Sequence, residues 1–134
     1  IVDDIISKRQ RIAKIYDEKL NQVSGITLVK IPEDIECSYY KYIIYLDKKY
    51  NRCEIKNRLK KEYNISLPGE VYSETCHKQP VFNKYKNLML NMDNIFPGAD
   101  YIASNQICLP LYPSLKRYEI LYVINSLKGL LANY

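Results

Sequence analysis

The sequence holds a single histidine, His77, and only four glycines, Gly25, Gly69, Gly98 and Gly129, all far apart. The first scarcity limits catalysis, because any Ser-His-Asp or Cys-His arrangement would have to use His77. Its neighbour Cys76 points the other way in an extended segment, so the two make a poor nucleophile pair. The second scarcity excludes a glycine-rich phosphate loop, which needs closely spaced glycines. Cys37, Cys53, Cys76 and Cys108 include no C-x-x-C pair, so the spacing signatures of zinc and redox sites are missing. One histidine and scattered cysteines also argue against a metal site. A chain of this length with a proper core does not need disulfides, and the cysteines read as reduced thiols in a cytoplasmic protein. Apolar runs such as Ile43–Leu46 are too short to span a bilayer. No basic stretch leading into an apolar run stands at Ile1, so no signal peptide is read there. The lack of an initiating methionine points to a fragment.

What is present fits one soluble domain over residues 1–134. Hydrophobic residues make up 47% and charged residues 26%, ordinary values for a globular chain that buries one core. The net charge of +5 is concentrated between Lys48 and Lys61. That cluster reads as a solvated helix face with Glu54 and Arg58 paired four residues apart.

Apolar residues at three- and four-residue spacing, from Val2 through Ile5, Ile12, Tyr16 and Leu20 to Val23, predict a helix over 2–23 ended by Ser24-Gly25. The β-branched run 26–31 and the aromatic run 38–46 predict strands. Asn51 with Glu54 three residues on predicts a capped second helix buried through Ile55, Leu59 and Tyr63. A short strand is expected at 69–72, then mostly loop from Ser73 to Phe96 with one helical turn around Lys84–Leu90. Pro97 opens a helix to about Asn105, Ile107–Leu109 form a brief strand, and a last helix covers about 115–132. The fold class is α+β: a small, mainly antiparallel sheet with helices packed on one face.

No complete catalytic constellation appears. Tyr39, Tyr40, Tyr42, Tyr45 and Tyr50 stand in or beside a lysine-bearing segment, and aromatics on a basic sheet can stack RNA bases. The glycines of the ribonucleoprotein pattern are absent, and tyrosine in a strand is ordinarily packing with a wet hydroxyl. A basic, tyrosine-rich RNA- or polyanion-binding module is therefore the alternative function, and nucleic acid is not the expected partner.

Gly69-Glu70-Val71-Tyr72, then Cys76-His77-Lys78-Gln79-Pro80-Val81-Phe82, then Phe96-Pro97-Gly98-Ala99-Asp100 and Leu109-Pro110-Leu111-Tyr112-Pro113 follow one another along the second half of the chain. With Arg9-Gln10-Arg11-Ile12-Ala13 upstream, they resemble the C-terminal small domain of sugar aminotransferases of the DegT/DnrJ/StrS family. The resemblance covers nearly the whole chain. It implies a pyridoxal-phosphate enzyme that moves an amino group, usually from glutamate, to a keto-sugar carried on a nucleotide. The cofactor would act as the electron sink. Its Schiff-base lysine and phosphate site would lie in a large domain upstream, two subunits would share each site, and no lysine here matches that lysine's context. This chain alone is then expected to be inactive and free of cofactor.

The same resemblance makes His77, Tyr72 and Gln79 the substrate-cleft candidates. Each has a plainer reading. His77 could anchor its loop, Tyr72 could pack or hydrogen-bond, and Gln79 could shape the turn with Pro80. Two departures stand out. Val71 occupies a position where many members have histidine, and Lys116 replaces a threonine cap before Glu119, leaving Ser114 as the expected cap. Without its large domain the chain should bare apolar surface at Val2, Ile6 and Ile15 and around His77, Val81 and Phe82, and should self-associate there. Loop 73–90 should be poorly ordered.

Overall fold

A computed structural model describes residues 1–85 and 96–134. The first helix, α1 (Val2–Leu20), buries Ile12, Ala13, Tyr16 and Leu20 and carries Asp3 and Asp4 in its first turn, where acidic charge suits the helix dipole. Gly25, at φ +86°, turns the chain into β1 (Ile26–Leu28). The central strand β2 (Tyr42–Leu46) pairs antiparallel with β1 on one edge and β3 (Gln106–Leu109) on the other. Between them come α2 (Arg52–Tyr63), two 3₁₀ turns at Cys76–Lys78 and Pro80–Tyr85, and α3 (Pro97–Asn105); α4 (Arg117–Ala132) follows β3.

Alternation sorts β2 between two environments. Tyr42, Ile44 and Leu46 are fully buried, opposite Leu109 and Ile107 of β3. They join Ile12 and Tyr16 of α1, Ile55 and Leu59 of α2, and Ile120, Ile124, Leu127 and Leu131 of α4 in one core. Ile43 and Tyr45 face the other way, opposite Cys108 and Gln106. Tyr16 and Tyr42 stack with ring centres 4.7 Å apart. The Tyr16 hydroxyl donates to the Pro110 carbonyl at 2.9 Å and the Tyr42 hydroxyl to Asp17 at 2.6 Å. Burial pushes both phenols far above the ordinary tyrosine range, and for Tyr42 the bond to Asp17 adds to it. All four cysteines are free. No described helix is long and apolar enough to cross a membrane.

Several expectations need correction. Strand pairing begins at Tyr42, not at Ser38, because Tyr39 takes a left-handed φ of 46° that breaks an extended run. Residues 69–72 form no strand; side chains occupy their backbone groups. Asn51 does cap α2, accepting from the Glu54 N–H at 3.1 Å. The reciprocal half of that box is altered: the Tyr134 hydroxyl stands between, accepting from the Asn51 N–H and donating to the Glu54 carboxylate, both at 3.0 Å. Lys116, not Ser114, is the cap residue of α4, and its backbone N–H donates to Glu119 at 2.7 Å. Ile15 is half-buried against the core, because three residues after Ile12 it flanks the main stripe. It is not part of a bare outer face, whereas Val2 is exposed. The expected loop 73–90 includes the two 3₁₀ turns, and its residues 86–90 lie outside the described residues, as does most of the expected turn at Lys84–Leu90.

The basic stretch is tied into the fold. Arg58 pairs with Glu62 at 2.7 Å rather than with Glu54, Lys56 pairs with Glu70, and Arg52 donates to the Ala103 carbonyl. Buried Tyr42 and half-buried Tyr39 and Tyr45 offer no stacking platform. Among the described residues this arrangement does not support nucleic-acid binding.

Gly25 tests the local logic. Its carbonyl accepts from the Asp47 N–H at 3.1 Å, and a Cβ there would fall 2.4 Å from the Tyr50 ring. Gly25→Ala adds left-handed strain of about 1–2 kcal/mol to a clash with a buried ring, so chemical denaturation should show a loss of at least about 2 kcal/mol.

Candidate functional site

The second face of the sheet looks into an open cavity of about 900 Å³. Ile43, Tyr45 and Gln106 form its floor, and Ala99, Ile102 and Ala103 of α3 form one side. The other side is the irregular segment from Val71 to Phe82. His77, Tyr72 and Gln79 all line this one cavity. Their settings differ: Tyr72 is largely exposed, Gln79 is half-buried, and the His77 side chain is only 8% exposed.

That low exposure reflects an anchor. Three groups from one four-residue stretch, Thr75, His77 and Lys78, converge on one oxygen, Oδ1 of Asp100, in the first turn of α3. The Thr75 hydroxyl donates to it at 3.1 Å, Lys78 Nζ lies at 2.8 Å and His77 Nε2 at 3.2 Å. The His77 ring also sits 5.0 Å from that of Phe96. His77 is thus both a wall residue and a loop anchor, and its two readings are compatible. The Lys78 ammonium, ahead of the Thr75 hydroxyl, holds the Asp100 carboxyl below the usual carboxylate range against the opposing effect of desolvation.

A second attachment lies at the other end of the segment. Gln106, 3% exposed, accepts from the Val71 N–H at 3.3 Å and donates to the Tyr72 carbonyl at 2.8 Å. Lys41 Nζ donates to the carbonyls of Gly69 at 2.6 Å and Glu70 at 3.0 Å. Burial is the largest single influence on Glu70 and opposes its charge, but the bond to Lys56, its own backbone N–H and the nearby Lys56 and Arg52 charges together keep its carboxyl below the usual range. Sequence reasoning missed Thr75, Asp100 and Gln106 as site residues. The one local signal was a glutamine leading the otherwise apolar run Ile107–Leu109.

The lining does not suit pyridoxal phosphate. An imine-forming carbonyl needs a lysine amine and a phosphate needs cations or clustered N–H groups, yet no lysine or arginine lines the cavity among the described residues. The nearby Lys41, Lys56 and Lys78 are engaged with Gly69, Glu70 and Asp100. What the cavity offers is an apolar, aromatic wall with a few amide and hydroxyl groups.

The Asp100 anchor has a pH signature. Its folded-state value is depressed, so its contribution is present at neutral pH and is lost as pH falls through that value, below the ordinary aspartate range of about 3.9. Hydrogen exchange followed by NMR should show the Lys78 and Gln79 amides, which donate to Thr75 and Cys76 carbonyls, protected at neutral pH. Asp100→Asn should weaken that protection at neutral pH, and the wild-type chain should match it only in acid. Equal protection in both chains at pH 7 contradicts the anchor.

With this geometry in view, comparison with known proteins is informative. A profile of the DegT/DnrJ/EryC1/StrS aminotransferase family matches residues 1–128. The spore coat polysaccharide biosynthesis protein SpsC of Bacillus subtilis is 27% identical over 135 residues, covering 96% of this chain and 33% of SpsC. The aminotransferase TlmJ from Streptoalloteichus hindustanus superimposes with a TM-score of 0.80 at 23% identity, over 98% of this chain and 33% of TlmJ. NtdA from Bacillus subtilis, solved with bound PMP, gives 0.76 at 24% identity, over 96% of this chain and 28% of NtdA. The chain spans about a third of the length of the relatives it matches. On the family match over nearly its whole length, this chain belongs to the DegT/DnrJ/EryC1/StrS aminotransferases.

Proposed function

We propose that this chain is the C-terminal small domain of a pyridoxal-phosphate-dependent aminotransferase that transfers an amino group from an amino acid, glutamate in this reading, to a keto-sugar carried on a nucleotide. One observation carries the proposal: within the range that matches the family, the outer face of the sheet opens on a cavity that, among the described residues, has no lysine or arginine in its wall. Such a wall suits one side of a shared cleft. The cofactor, when bound, supplies the electron sink; the lysine and phosphate site that hold it belong to the large domain in this reading.

The work of this chain is then to bind, orient and exclude water. Tyr72 and Gln79 face the substrate at the mouth, and His77 presents its ring from a fixed loop. Val71, Phe96 and Ile102, each more than a third exposed, meet the large domain or the second subunit. Alone, the chain self-associates through this apolar face. Four free thiols fit a cytoplasmic enzyme.

The test is chemical. Purified chain mixed with pyridoxal phosphate and reduced with borohydride should show no stoichiometric adduct on any one lysine by peptide mass mapping. Reading the native gene upstream of the codon for Ile1 should reveal a large domain bearing the lysine. A full, site-specific adduct on this chain overturns the proposal.

A further inference from the structure

Residues 69–72 cross the outer face of the sheet without joining it. A peptide group in a strand would find a carbonyl and an N–H on its neighbour; here the Gln106 carboxamide offers the same pair. Its Oε1 accepts from the Val71 N–H and its Nε2 donates to the Tyr72 carbonyl, the two complementary capacities an amide side chain possesses. Gln106 sits in β3 opposite Tyr45, rigidly placed and almost wholly buried. The pair it grips stands at the cavity wall, with Tyr72 73% exposed. Cys108, two positions further along β3 and so on the same face as Gln106, is buried.

We propose that Gln106 is a positioning residue: acting as a one-residue substitute for a strand, it fixes Val71 and Tyr72, and so sets the mouth through which a nucleotide-linked sugar meets this wall. The assignment of the sugar rests on the function proposed above, whereas the positioning is measurable on this chain alone.

Three chains test this by amide exchange and by the rate at which iodoacetamide modifies Cys108, mapped separately from the other three cysteines. In the wild type the Val71 amide should be protected and Cys108 slow. Gln106→Met keeps the length of the side chain but loses both hydrogen bonds. It should exchange Val71 and alkylate Cys108 about tenfold faster. The Lys78 and Gln79 amides, in the turn whose side chains Asp100 anchors, should keep wild-type protection, which a general weakening of the domain would not allow. Gln106→Glu separates positioning from packing. At about pH 5 a buried glutamic acid is neutral and can both donate and accept, restoring protection; at about pH 8 its carboxylate faces the Tyr72 carbonyl and protection is lost.

The titratable groups around that position are Tyr45 of β2, Tyr72 and Glu74 of the segment, Cys108 of β3, and Lys41 with the Lys56–Glu70 pair beyond. His77 lines the same cavity. The wild-type chain at the same two pH values controls for their titration. An unprotected Val71 amide in the wild type, or equal rates in wild type and Gln106→Met, overturns the proposal. Should Gln106→Met fail to fold, wild-type protection of Val71 and the pH response of Gln106→Glu decide it. A pyridoxal adduct on this chain would overturn the assigned function and leave these exchange rates unchanged.

Discussion

Alternation along five residues of β2 divides this molecule. Tyr42, Ile44 and Leu46 enter a core shared by three helices, while Ile43 and Tyr45 floor an open cavity. A one-residue slip in pairing would exchange the two sets and bury the cavity face in the helical layer. The Tyr16–Tyr42 stack and the Tyr42–Asp17 bond oppose such a slip, because each works only with Tyr42 on the α1 side. Everything assigned to function lies on the face that remains.

That face is finished by side chains rather than by a backbone ladder. Lys41, Gln106 and Asp100 come from three places in the sequence and hold the segment from Gly69 to Lys78 at successive points. Each bond contributes modestly in net terms. Together they fix a wall without the uniform register of a strand, so single substitutions can reshape one part of it and spare the next.

Much of the scaffold was legible in the sequence because its signals are local. The apolar stripes of α1 and α4, Asn51 before α2, Pro97 at the start of α3 and the β-branched aromatic run of β2 each announce themselves within a few residues. The misreadings share the opposite character. Ser38–Lys41 continues an aromatic run, yet Tyr39 turns away. Gly69–Tyr72 resembles a strand, but Lys41 and Gln106 claim its backbone. Arg58 had two glutamates within one helical turn and uses the later one. His77, Tyr72 and Gln79 are candidates only through resemblance to a family, and they line one cavity. Thr75, Asp100 and Gln106 were missed because their partners lie up to 35 positions away, and no periodicity records such a meeting.

The strand order carries a consequence for synthesis. β2 pairs on one edge with β1 just before it, but its other partner, β3, comes about sixty residues later, Ile44 meeting Ile107. At roughly 5–20 residues per second, a ribosome leaves that edge of Tyr-Ile-Ile-Tyr-Leu unpaired for several seconds. The run has no charge and no proline, the composition that invites pairing with other chains. Lys41 and Asp47-Lys48-Lys49 bracket it, and charges so placed act as gatekeepers while the nascent edge waits for its neighbour.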